Sequence, residues 1–73
     1  MAIIDIKTEI TGNVWKILHQ IGAEVSEDEP IMILESMKME IPVVAVESGV
    51  IREILVQEEQ TVTEGSVVAR IEA

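Results

Sequence analysis

The chain has 73 residues, enough for one small domain (1–73) and no second. Fourteen Asp and Glu stand against five Lys and Arg, a net charge of −9 that repels a phosphate backbone and sets nucleic acid aside as a partner. With no cysteine there is neither a disulfide nor a thiolate metal site, so the core must be aliphatic: Ile and Val supply 22 residues, Leu three, and Trp15 is the one aromatic.

The β-branched excess favours strands, because two heavy atoms on Cβ fit a pleated surface better than a helical turn. In chain order, a first strand is expected over residues 3–7, running to a turn at Gly12. A second follows over 14–19, then a polar stretch around the short apolar point Val25. The acidic turn Glu27-Asp28-Glu29-Pro30 leads to a strand over 31–34. The order then repeats: a strand over 41–46, a turn at Gly49, a strand over 50–56, a polar stretch around Val62, the turn Glu64-Gly65-Ser66 and a strand over 67–71. Pro30 and Pro42 suit strand starts or edges, where a missing N–H does little harm.

The repetition is visible residue by residue. A shift of 37 positions lays Gly12 on Gly49, Ile17 on Ile54, Leu18 on Leu55, Gln20 on Gln57, Val25 on Val62, Glu27 on Glu64 and Glu35 on Glu72. Two copies are too few for a solenoid, which needs about three or more. The expected fold is therefore all-β, a small sandwich or barrel of two units related by a pseudo-twofold axis. Lys38 falls on Met1 at the join, so the axis predicts that the chain ends meet at the pole opposite Lys38.

Between the halves lies Glu35-Ser36-Met37-Lys38-Met39-Glu40, flanked by strand-forming runs on both sides. It reads as a β-hairpin with Met37 and Lys38 at the centre of its turn. Ser36 then faces Met39, Glu35 faces Glu40, Leu34 faces Ile41 and Met32 faces Val43. The last two pairs point to the core and the glutamates to solvent. Two rules are broken there. Tight hairpin turns want Gly, Asn or Asp for their positive φ, and opposed glutamates repel. A local rule broken without structural gain points to function. The gain on offer is an exposed Lys38 between two flexible, polarizable methionines. A protonated lysine is a poor nucleophile by itself, though an external enzyme with an activated acyl donor could acylate it; the plainer reading is a solvated surface lysine, which its place at the midpoint of the repeat disfavours. The amide product would make the chain one unit more negative.

On these residues, with Gly12-Asn13-Val14, Gly22-Ala23-Glu24-Val25 and residues 48–54 in support, the chain resembles the biotinyl/lipoyl attachment-domain family, of the biotin carboxyl carrier type. The resemblance spans nearly the whole chain. It implies a flattened barrel of two four-stranded antiparallel sheets, with the modified lysine on the hairpin joining the halves. It implies biotin on Lys38, attached by a biotin protein ligase, with Met37 and Met39 as flanking recognition residues and Ser36, Glu35 and Glu40 as weaker members of the hairpin site. The domain would catalyse nothing itself. It would carry CO2, as carboxybiotin, from a biotin carboxylase to a carboxyltransferase, either as a free-standing carrier or as a module of a larger protein. Such carriers commonly have Ala where this chain has Ser36, often have prolines where it reads Lys7 to Thr11, and some have a protruding loop for which the 37-residue spacing leaves no room.

Lipoate on the same lysine, for acyl or aminomethyl transfer, is the cousin reading, against which Met37 argues. An unmodified docking module is the alternative of another class. A hydrolase is poorly supported, since no nucleophile–base pairing is visible. His19 lacks partners for a catalytic or ligand role. Trp15 falls on Arg52 in the repeat and is expected to face outward, covering apolar surface. The acidic runs lack the spacing and Gly of a calcium loop and read as solvated turns that protect sheet edges. No apolar run approaches the ~18 residues of a membrane helix, and no secretory signal opens the chain. A cytoplasmic protein is expected.

Overall fold

The computed structural model describes residues 2–73. Eight strands appear: β1 (Ile3–Lys7), β2 (Gly12–Ile17), β3 (Glu24–Val25), β4 (Pro30–Ser36), β5 (Met39–Val44), β6 (Gly49–Ile54), β7 (Thr61–Val62) and β8 (Val67–Glu72). They form two four-stranded sheets, ordered β1-β8-β6-β3 and β5-β4-β2-β7, and every strand pair is antiparallel.

The 37-residue shift converts one sheet into the other. Ile4↔Ile71 in the first sheet becomes Ile41↔Leu34 in the second, Val14↔Leu34 becomes Ile51↔Ile71, and Gly12↔Val62 becomes Gly49↔Val25. The irregularities repeat too, with a bulge at Trp15 matched by one at Arg52. Loop bonds obey the same rule. The Leu18 N–H donates to the Ile31 carbonyl and the Leu55 N–H to the Val68 carbonyl, both at 2.9 Å. The pseudo-twofold axis is therefore a property of backbone pairing, not only of sequence.

Alternation along the strands, reset by bulges at Ile31 and Val68, sends Ile6, Val14, Ile31, Met32, Leu34, Ile51, Val68 and Ile71 into a single core where each is at most 1% exposed. Side chains from both units fill it, so neither half has a core of its own. The centre of the outer face of the β1-β8-β6-β3 sheet is charged, with Ile3 exposed at its edge. Arg70 reaches Asp5 at 2.8 Å and Glu53 at 3.2 Å, and Arg52 reaches Glu72 at 2.6 Å. The hydrogen bond that Arg70 donates to Asp5, then that to Glu53, raises the Arg70 pKa above its ordinary value.

Several expectations need adjustment. β2 ends at Ile17, not His19. The Glu58 carboxylate accepts the Ile17 N–H at 3.0 Å, where a neighbouring strand would otherwise pair. β5 and β6 begin earlier than expected, at Met39 and Gly49. Gly12 and Gly49 are not turn residues but the first residues of β2 and β6. What they share is close approach of another strand's backbone: a Cβ on Gly12 would lie 2.7 Å from the Glu35 carbonyl oxygen. Met1 lies outside the described residues, but the chain ends do meet. The Ala73 N–H donates to the Ala2 carbonyl at 3.0 Å, in the place that the Ser36–Met39 pair takes in the other sheet.

Candidate functional site

The β4–β5 hairpin has the register its sequence implies: Met32↔Val43, Leu34↔Ile41, Glu35↔Glu40 and Ser36↔Met39. Leu34 and Met32 are fully buried and anchor the stem, while Glu35 and Glu40 face solvent opposite each other. The stem belongs to the sheet and is held rigidly by it; only the turn projects.

At that turn Met37 has φ 53° and Lys38 has φ 67°. Two successive positive φ values are the signature of a type I′ turn, whose twist matches that of the strands it joins. The conformation is disfavoured for residues with a Cβ, and two long side chains occupy it. Elsewhere the repeat shows an easier solution. Of the other positive-φ positions, Gly22 corresponds to Glu59 and Gly65 to Asp28, so at each related pair at least one copy is glycine. Among the described residues, only the hairpin tip holds two consecutive residues in this conformation, and neither is glycine.

Lys38 is exposed, as are its neighbours: Met37 at 92% and Met39 at 64%. Ser36 is half-buried at the last position of β4. Among the described residues Lys38 takes part in no ion pair. Its amine is therefore free to enter another protein's active site. A groove lined by Glu24, Ser48, Arg52 and Ala73 lies elsewhere, beside Ala73. The turn is thus a projection rather than a cleft, which suits a substrate more than a catalyst.

Several other polar residues have structural partners. His19 Nε2 lies 2.9 Å from a Glu29 carboxylate oxygen. The other Glu29 oxygen accepts the Ser26 N–H at 2.9 Å, and Glu58 caps Ile17, so these acidic residues are not merely solvated turns. Among the described residues no cluster of His, Asp and Glu is arranged to hold a metal ion, and no helix is long and apolar enough to cross a membrane. Trp15 faces outward at the bulge, 48% exposed, with the Lys16 ammonium 5.8 Å from the ring centroid.

A family profile described as "Biotin-requiring enzyme" matches residues 3–71. A "Biotin/lipoyl attachment protein" of Bacillus subtilis is 38% identical over 66 residues, 90% of each chain. A "Biotin carboxyl carrier protein" of Streptococcus mutans is 46% identical over 54 residues, which are 74% of this chain but 42% of that one. In solved structures, the urea carboxylase of Kluyveromyces lactis contains a domain that superposes with a TM-score of 0.93 at 32% identity, covering 99% of this chain and 6% of the enzyme. This chain therefore spans nearly all of the Bacillus protein, under half of the Streptococcus one and a small part of the carboxylase.

Proposed function

We propose, from the premise that this chain belongs to the biotin/lipoyl attachment family, that Lys38 is the residue on which its cofactor is carried. The chain is a biotin carrier domain, the non-catalytic part of a biotin-dependent carboxylase system. The observation that supports Lys38 is the strained turn. Met37 and Lys38 both occupy left-handed backbone, and the fold gains nothing from those two side chains there.

The local residues suit an amide-linked group. The amine stands clear of every described carboxylate, and nothing around the turn would be displaced by an acyl chain. Biotin, once joined to the ε-amine, supplies a ureido nitrogen that can carry CO2. The chain's own contribution is positional. The buried Leu34 and Met32 fix the stem, the type I′ turn throws Lys38 outward, and Met37 and Met39 offer adaptable apolar contact. We assign the attachment step to a biotin protein ligase, and the carrier's two later partners to a biotin carboxylase and a carboxyltransferase. A carrier held to its enzyme meets those sites at an effective concentration of about mM. Residues 1–73 act as one carrier domain in this reading.

The test is acylation of the purified protein by a biotin protein ligase with biotin and ATP, followed by a streptavidin gel shift. Wild type should shift and Lys38→Arg should not. A shift that persists in Lys38→Arg would place the attachment elsewhere. Lipoate is the second reading, kept because the Bacillus relative's name covers both groups. It predicts labelling by a lipoyl ligase instead.

A further inference from the structure

The pseudo-twofold axis lets the outer faces of the two sheets be compared position by position. Next to the turn the hairpin sheet carries Glu40↔Glu35↔Asn13 where the other sheet carries Ile3↔Glu72↔Val50, and at the next outward-facing row the contrast reverses. In the β1-β8-β6-β3 sheet the row is Asp5↔Arg70↔Glu53, closed by ion pairs at 2.8 and 3.2 Å. In the sheet that carries the hairpin, the equivalent row is Pro42↔Ile33↔Lys16. The bulge residue beside it is Arg52 in the first sheet, paired with Glu72, and Trp15 in the second. At this row the first face is therefore closed by its own charges, with Ile3 exposed only at its edge strand. The other presents Trp15, Ile33 and Pro42, with Glu35 and Glu40 between that apolar row and Lys38.

We infer that this face, centred on Trp15, Ile33 and Pro42, is the docking surface for the enzyme that acylates Lys38, and that the enzyme meets it with an apolar patch bordered by basic residues towards the turn. The inference rests on Lys38 being the attachment site. Three observations favour this occupant. Pro42 lies four residues from Lys38 along β5, about 13 Å at strand rise, so one footprint of about 800 Å² covers both. Glu35 and Glu40 face each other without an ion pair among the described residues, so a cationic rim would relieve their repulsion. An unmodified lysine is also short. The enzyme that acylates it must come close to the body of the domain, whereas later partners are reached by a side chain lengthened by its acyl group. A second copy of the chain fits poorly, since both copies carry a net charge of −9.

The other sheet supplies the test, because it shows which residues the fold accepts at these positions. In Lys16→Glu/Ile33→Arg/Pro42→Asp the apolar row is replaced by the residues of the paired row. Initial rates of biotinylation by a purified biotin protein ligase are measured against carrier concentration for the full chain. The expected result is a KM raised about tenfold or more with kcat within about twofold, since docking is lost and the lysine is not touched. Trp15→Arg, the residue of the other sheet, should raise KM several-fold in the same sense and decides the matter if circular dichroism shows the triple variant unfolded. Asp5→Asn on the opposite face should leave KM unchanged. Wild-type KM should also rise with salt. An unchanged KM in a folded triple variant and in Trp15→Arg overturns the docking surface while leaving the carrier reading intact. So does sedimentation showing a wild-type dimer that the triple variant loses without a change in KM, which would give the face to a second copy. A wild-type chain that the ligase does not label at all overturns both.

Discussion

The carbonyl oxygen of Glu35 lies 2.7 Å from where a Cβ on Gly12 would stand. The stem of the hairpin and the start of β2 therefore touch backbone to backbone, and the same contact recurs between Gly49 and Glu72 at 2.5 Å. Neither opposing atom can swing away, since each belongs to a paired strand. Gly12→Ala and Gly49→Ala should each lower stability by about 1–3 kcal/mol, the usual cost of overpacking. Urea unfolding checks this through a lower midpoint at constant slope. Only Gly12 adjoins the hairpin, so Gly12→Ala should also slow biotinylation under conditions where both variants are folded.

The turn itself predicts an exchange of function for stability. Met37→Asn with Lys38→Gly gives the type I′ turn its preferred residues. Relief of left-handed backbone at two side-chain-bearing positions should raise stability by about 1–2 kcal/mol. The same variant should accept no biotin. A loss of stability in urea unfolding would show that the two side chains support the fold after all.

Asp28 and Glu59 take positive φ where the related copy has Gly65 or Gly22. Glu59→Gly should stabilise by up to about 1 kcal/mol, and Asp28→Gly by less, because Asp tolerates this conformation better. Thermal unfolding of both single variants tests the order.

The Glu58 carboxylate substitutes for a strand at the Ile17 N–H, 3.0 Å away. Glu58→Ala should cost about 0.5–1 kcal/mol, the net worth of one hydrogen bond at an exposed site. It should also speed hydrogen exchange at the Ile17 amide more than at Leu18, whose N–H donates to the Ile31 carbonyl. Equal acceleration at both would point to general loosening.

What the sequence revealed was whatever depends on periodicity. Matches such as Gly12 with Gly49 and Leu18 with Leu55 carried the repeat, and alternation around Leu34 and Ile41 carried the hairpin register. Strand ends were less legible, because the Glu58 side chain that caps Ile17 comes from 41 positions away and leaves no local signature. The glycines were read as turns for a similar reason: composition marks an unusual backbone but does not distinguish positive φ from close approach, and here the latter applies. The asymmetry between the Asp5–Arg70–Glu53 row and the Pro42–Ile33–Lys16 row needed the pairing register, since neither row is contiguous in sequence.

The central claim is that Lys38 carries biotin. Its most direct measurement is the intact mass of the protein isolated from cells that contain both a biotin ligase and a lipoyl ligase, with fragmentation to locate any adduct. The account predicts a single biotinyl group on Lys38 and none in Lys38→Arg. An unmodified chain, or an adduct mapped to another lysine, would contradict it.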